Sequence, residues 1–385
     1  MDNITHSLVG LAAAKAGLER VSPGATALCV IAANAPDADI LALLGGRWTY
    51  LHHHRGITHS IVGTLMLALL IPSLFYVVDF TLARLWRTPP RVKFRGLLLA
   101  SLIVSASHPL MDWTNSYGWR PLLPWSGQWY YGDLVFIVDP WIWLGVGGAA
   151  FLLTATRTWQ AALWALFASV ITAAILLSPL RSAGLLDPYI VRALWVAGIF
   201  GFIVAHRACI RERWGSNIAL VALALVVVYW GALAVIHSHA FASAEVVSNR
   251  MAAERGETLN RMAAMPTFAS PLNWHCVLDT NRAVYRFDLM LDPTRREAAL
   301  RNVARFEKPS GAEALMVAHA SEDWRAKILL DFARFPVARV EGDCLSQTLV
   351  QFADLRYTDP GTSSGTFSLE LPVACSSEST ETSEK

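Results

Sequence analysis

The chain has 385 residues, of which 54% are hydrophobic and only 16% charged; a soluble domain carries roughly a quarter charged residues, so this balance excludes an ordinary water-soluble protein and points to lipid exposure. A net charge of +2 is too small to argue for a nucleic acid or an acidic partner. The five cysteines, Cys29, Cys209, Cys276, Cys344 and Cys375, contain no CxxC pair and are odd in number, which argues against a cysteine zinc site and a complete disulfide framework.

In chain order, Ile4–Leu18 predicts a short apolar helix, marginal for crossing a bilayer. Asp2 and His6 interrupt the place where a basic n-region would stand, so the N-terminus does not read as a cleavable signal peptide. Spanning a hydrocarbon core takes about 20 apolar residues. Ile57–Val78, Leu134–Thr154, Ala161–Leu180, Tyr189–His206 and Ile218–His237 meet that length. Ala25–Leu44, interrupted by Asp37 and Asp39, and Gly96–Trp113, ending in His108 and Asp112, are two further candidates. The expected fold class is therefore an all-α polytopic membrane domain of seven or eight helices over residues 1–239. A small extramembrane domain, mostly antiparallel β, is expected over 240–374, with a disordered tail over 375–385. Ala240–Ala264 reads as a polar helix. Cys276–Thr280, Ala283–Leu289, Ala326–Phe332, Val337–Glu341, Thr348–Phe352 and Thr366–Leu371 read as strands.

Short loops rich in Lys and Arg set orientation. Arg84, Arg87, Arg91, Lys93 and Arg95 share one loop, Arg207, Arg211 and Arg213 another, and Arg157 lies in a third turn. Placing these at the cytoplasm makes the helices alternate and sends the last one outward. The C-terminal domain is then expected outside, in the periplasm of a Gram-negative cell.

Four blocks hold the unusual polarity of the membrane half: Asp2 to Ser7, Ala35 to Asp39, His52 to Ser60, and His108 to Asn115, with Asp133 and Asp139 following. Six of the eleven histidines fall inside them. Ionisable residues at membrane depth are costly and mark functional sites, and a bound cation offsets the cost of burying Asp37 and Asp39. His108 and Asp112 are four apart, so both face one side of a helix. The topology drawn from Arg and Lys alone brings Asp39, His59, His108–Asp112 and Asp139 to one membrane face, and His6 joins them if the N-terminus lies outside. His6, Asp37, Asp39, His59, His108 and Asp112 are thus the candidate metal ligands. Imidazole and carboxylate together suit zinc, manganese, iron or nickel rather than magnesium or calcium in a purely oxygen-ligated site. Taken singly, His52 and His53 are interface residues, and so are His206, His237 and His239. Asp133 and Asp139 also have the positions of helix caps, Asp139 with Pro140 at the first helical position. The Trp-rich, Gly- and Pro-containing segment Trp113–Gly132 reads as an interfacial belt or as a structured lid, with Arg120 a candidate anion contact.

These blocks resemble the YdjM-like family of membrane-bound, metal-dependent hydrolases, also described as LexA-binding and inner-membrane-associated. The resemblance rests on Asp2…Thr5-His6, Pro36-Asp37-Ala-Asp39, His54-Arg55-Gly56-Ile-Thr58-His59-Ser60 and His108-Pro-Leu-Met-Asp112. Pro124-Trp125…Asp139-Pro140 and the run from Pro266 to Trp274 are similar as well. It covers about residues 1–150 well and implies a hydrolase with His and Asp metal ligands. The helical His/Asp site is also similar, more distantly, to zinc-dependent phospholipase C-type enzymes. The LexA link comes with the family description alone.

The expectation is a hydrolase at the outer face of the inner membrane, with one or two divalent metals, zinc or else manganese. Its substrate is an ester or phosphodiester of a small, lipid-like or amphipathic molecule. Asp37 or Asp139 is the expected general base, and His54 and Arg55 steady a leaving group or an anionic oxygen. Two rivals stand beside it: a non-catalytic membrane scaffold with a C-terminal binding domain, and an ion-coupled transporter.

Overall fold

The computed structural model describes residues 1–177, 188–292, 302–342, 348–361, 365 and 367–373. Cys344, Cys375, Thr366 and the tail expected to be disordered lie outside them. Cys276 is buried and has no disulfide partner among the described residues.

The membrane half is helical: α1 Asn3–Lys15, α2 Ala25–Asn34, α3 Arg47–His53, α4 Ile61–Leu85, α5 Phe94–Trp113, α6 Pro140–Thr154, α7 Thr158–Leu177, α8 Pro188–Arg207, α9 Ile210–Trp214 and α10 Asn217–Glu254. Six described stretches are long and apolar enough to cross a membrane: Ala25–Gly45, Ile61–Leu85, Phe94–Trp113, Thr158–Leu177, Tyr189–Arg207 and Asn217–Glu254. Helix α6 is apolar but shorter, because residues 134–139, expected to begin that span, form a loop that ends in the cap at Asp139. Leu65, Met66, Leu69, Leu70 and Val77 on α4 and Val227 and Val228 on α10 are exposed. Fully helical segments with apolar outer faces satisfy their backbones internally, as lipid requires.

Small side chains set the packing of the first helices. Ala14, Ala25, Ala32, Ala33 and Ala100 are buried with Leu28, Cys29 and Leu97 between α1, α2, α4 and α5. A Cβ on Gly10 would come within 2.7 Å of both the Ala33 Cβ and the Cys29 carbonyl oxygen, so α1 and α2 approach closely only because position 10 is glycine. The second apolar stretch does not continue as an α-helix. At Pro36, which brings no backbone N–H, it tightens into 3-10 turns over Ala35–Gly45, and Asp37 and Asp39 sit in those turns. The connection after α1 and the basic loops share the end of the bundle away from these turns. Arg20 Nη2 donates to Ser216 Oγ at 3.4 Å, and the Lys93 N–H donates to Ser22 Oγ at 2.9 Å.

Helix α10 runs without a break through residue 240 into the extramembrane half. There β1 Leu259–Thr267, β2 Ser270–Thr280, β3 Ala283–Met290 and β4 Ala304–Glu307 form one antiparallel sheet in the order β1-β2-β3-β4. β5 Pro336–Glu341, β6 Thr348–Asp354 and β7 Ser368–Val373 form a second. Ala263, Val277 and Val284 of the first sheet pack on Val337 and Ala353 of the second, and Ala240 and Ala244 of α10 cover the other side of the first. Two helices, α11 Gly311–Ala320 and α12 Trp324–Phe332, lie against the second sheet. Ala326–Phe332 is therefore helix where alternation predicted strand. Asp323 caps it by accepting from the Arg325 N–H, and its buried residues, Ala326, Leu329 and Phe332, recur at helical spacing.

The second sheet and its helices rest on the membrane domain. Trp48 and Leu51 of α3 and Tyr117 of the loop after α5 share one apolar core with Leu329, Phe332, Val350, Phe352 and Leu369.

Candidate metal centre

Four elements deliver the polar side chains. Asp37 and Asp39 come from the 3-10 turns after α2. His54 follows α3, and His59 closes a 3-10 turn at the start of α4. His108 and Asp112 lie one turn apart near the end of α5 and are both buried, with Pro109 and Met111 beside them. His6 lies on α1, whose N-terminus is capped by Asp2. The turn carrying His59 presses on α4 so tightly that a Cβ on Gly63 would fall 1.7 Å from the Ile57 carbonyl oxygen.

One donor atom each from Asp37, His59, His108 and Asp112 gathers around a common point. His59 Nε2 is 3.2 Å from Asp37 Oδ1, 3.1 Å from His108 Nε2 and 3.4 Å from Asp112 Oδ2. His108 Nε2 is 3.6 Å from Asp37 Oδ1 and 3.5 Å from Asp112 Oδ2. A tetrahedral zinc ion with bonds of 2.0–2.2 Å sets its ligand atoms roughly 3.3–3.6 Å apart, and these five separations, 3.1 to 3.6 Å, come close to that spacing. His108 Nδ1 lies 2.6 Å from the Ala33 carbonyl oxygen, an acceptor only, so that nitrogen donates and Nε2 carries a lone pair. His59 Nδ1 faces Asp39 Oδ2 at 3.3 Å, the arrangement in which a carboxylate orients a ligating imidazole. The two imidazole Nε2 atoms face each other 3.1 Å apart, close enough for one to donate to the other or for a single cation to take both lone pairs.

His6 is buried and stacks on His108 with ring centroids 3.7 Å apart. Its Nε2 is 3.4 Å from Asp112 Oδ1, and neither ring nitrogen has a hydrogen-bond partner among the described residues. It borders the four-atom set rather than belonging to it. Asp112 Oδ1 is also met by Arg55 Nη2 at 3.0 Å and by the Met1 ammonium.

Arg55 has a different place from the one its motif suggested. It is buried and its φ is 52°. Its Nη1 donates to the carbonyls of Asp112 and Gly118 and to Asn115 Oδ1, its Nη2 goes to Asp112, and its guanidinium lies 4.6 Å over the Tyr117 ring. With both Nη groups engaged by the protein, Arg55 positions Asp112 and the loop after α5 rather than contacting an anion. Asp139 is likewise not at the centre. It accepts from the N–H groups of Trp141 and Ile142 and from the Tyr229 hydroxyl, the helix-cap alternative read in the sequence. Asp133 pairs with Arg334 at 2.7 Å. Arg120 donates to the carbonyls of His52, His54 and Arg55 and lies 4.4 Å over Trp129. Trp119 Nε1 donates to the His59 carbonyl at 2.6 Å, so residues 113–132 form a structured cover, one of the two readings above. His52 and His53 point outward.

The cover is held from above. Arg356 is buried against Asp354, and its Nη1 donates to the Ser116 carbonyl at 2.7 Å. Tyr117 packs on Phe332 with centroids 4.7 Å apart, and burial pushes its phenol pKa up against the opposing pull of Arg55. Burial also lowers the pKa of His54, although Asp39 pulls it upward. Ala33, Tyr50, Tyr117 and Asn115 carried no functional sign in the sequence, apart from the position of Asn115 three residues after Asp112.

Residues 1–183 match the family described as YdjM inner membrane protein, in keeping with the resemblance read from the motifs. The chain is also similar to the uncharacterized protein YfhP of Bacillus subtilis (strain 168), at 29% identity over 154 residues. The match covers 37% of this chain and 43% of that protein, so the chain spans less than half the length of the curated relative it matches. No solved structure matches.

Proposed function

We propose that this inner-membrane protein is a metal-dependent hydrolase acting on an ester or phosphodiester of an amphipathic or lipid-like substrate, at the outer face of the membrane and with its C-terminal domain periplasmic. The observation that carries the reading is the pair of opposed imidazole Nε2 atoms, 3.1 Å apart, set between two carboxylates at an apolar bundle's end. Asp37, His59, His108 and Asp112 would hold the ion, zinc or else manganese, and His6 lies beside Asp112. Such an ion lowers the pKa of a bound water and polarises the bond under attack.

The residues of the chain supply orientation and proton handling. Asp39 and the Ala33 carbonyl fix the two ligating rings, and Arg55 fixes Asp112. The Asp37 side chain is 13% exposed whereas those of His59 and His108 are 0%, so the open edge of the centre, where a proton can leave, lies at Asp37. Asp139, capping α6, takes no part. The site sits where apolar helices end, and this supports an amphipathic substrate.

The test is turnover in proteoliposomes against a panel of carboxylic-ester and phosphodiester lipids. It compares wild type with Asp112→Ala, with and without chelation. Hydrolysis that needs metal and Asp112 is expected; hydrolysis equal in both proteins, or none on any substrate after loading with zinc or manganese, overturns the reading.

A further inference from the structure

We infer that the centre takes two divalent cations, the second held by Asp37, Asp39 and His54, with Asp37 bridging the pair. This rests on the hydrolase reading and deepens it toward phosphoester substrates. Donor atoms of Asp37, Asp39 and His54 form a second set within metal-sharing distance, and Asp37 is the one residue common to both sets. A carboxylate has two oxygens, so Asp37 can serve one ion with each. Bridged ions stand roughly 3.5–4 Å apart, the spacing with which two-metal sites clamp the attacking and leaving oxygens of a phosphoryl group.

The second set is free to bind. Asp39 Oδ2 accepts from the Arg55 N–H at 2.9 Å and faces His59, which leaves Oδ1 toward His54 Nδ1 at 3.2 Å. The His54 ring is held between Tyr50, stacked at a centroid distance of 4.7 Å, and the edge of Tyr117 at 5.2 Å. Its backbone carbonyl accepts from Arg120, so packing and the main chain orient the imidazole, whose Nδ1 meets Asp39, its fellow member of the second set. Exposure separates the two positions. His59 and His108 side chains are 0% exposed, while His54 is 16%, so the first ion is enclosed and the second stands at the mouth. The second therefore binds more weakly and is the first to leave on chelation. Two ions beside three carboxylates and Arg55 leave the mouth positive, which favours an anionic phosphoester over a neutral carboxylic ester.

The competing role for Asp39 is to orient His59 alone, and metal counting separates the two. Full-length protein in detergent is stripped and titrated with Mn(II), free manganese is read by its EPR signal, and zinc loading is counted by ICP-MS. Wild type is expected to bind two ions per chain in two steps and to show an exchange-coupled manganese pair. His54→Ala, and Asp39→Asn, which keeps the shape of the side chain, are each expected to bind one, uncoupled. A wild type that saturates at one ion or none, or variants that still bind two, overturns the inference. Two ions without turnover on any substrate would sink the hydrolase reading and leave this one standing; turnover with a single ion would do the reverse.

Discussion

Replacing Arg356 by alanine tests whether the C-terminal domain holds the cover over the metal centre. Arg356 and Asp354 both have fully buried side chains. Arg356 gives Nε and Nη2 to Asp354 Oδ2 at 2.8 and 2.6 Å, Nη1 to the Ser116 carbonyl at 2.7 Å and Nη2 to the Phe332 carbonyl at 3.1 Å. The alanine variant leaves the Asp354 carboxylate buried without its cation, a loss of about 3–5 kcal/mol. At about 1.4 kcal/mol per factor of ten, that is roughly two to four orders of magnitude in the opening equilibrium. Asp354 also accepts from its own loop, with the Arg356 N–H at 3.2 Å from Oδ1, which places the expectation at the lower end. The assay is amide hydrogen exchange in detergent, followed over residues 113–132 and over β6. Both segments are expected to lose protection together, because Ser116 and Tyr117 lose their partners on the domain above. The double variant Asp354→Asn, Arg356→Met removes the stranded charge and is expected to recover part of the loss. Loosening confined to β6, with residues 115–118 as protected as in wild type, would refute the claim that the domain clamps the cover.

Other outcomes follow from particular contacts. Asp139→Ala removes two N–H acceptors at the start of α6 and is expected to cost about 0.5–2 kcal/mol of helix stability, lowering the thermal midpoint while metal content stays at the wild-type level. Gly63→Ala, whose Cβ would overlap the Ile57 carbonyl, is expected to displace the turn that carries His59 and weaken metal binding at least tenfold in a competition titration; unchanged affinity would show that the turn can shift without moving the ligand. Arg55→Lys keeps the charge but loses the fork that reaches Asp112, Asn115 and Gly118 together, and is expected to raise the metal dissociation constant while insertion into the membrane is unchanged.

The helical membrane half and its His/Asp blocks were legible because both signals are local. Runs of about 20 apolar residues declare a span, and a histidine or aspartate inside one stands out. The four-residue spacing of His108 and Asp112 placed both on one face of a helix, and α5 bears that out. Three things were not legible. The break after Asn34 depends on Pro36 inside an otherwise apolar run. The inward turn of Arg55 depends on a positive φ and on carbonyls 57 to 63 residues away. The contact of α12 and the second sheet with α3 and Tyr117 depends on pairings across more than 200 residues; β1 begins inside the stretch read as a polar helix, and β4, although it alternates, is only four residues long. Ala326–Phe332 was misread as a strand because a short apolar run carries no period long enough to separate strand from helix, and the cap at Asp323 was the deciding signal.

The central claim is that four side chains from three separate segments form one closed metal site. Metal analysis of purified wild type beside His108→Ala tests it most directly. Stoichiometric zinc or manganese in the wild type, lost from the enclosed position in a variant that still inserts and folds, is the predicted result. Wild-type protein that holds no divalent metal after reconstitution, or a variant that holds as much as the wild type, would contradict it.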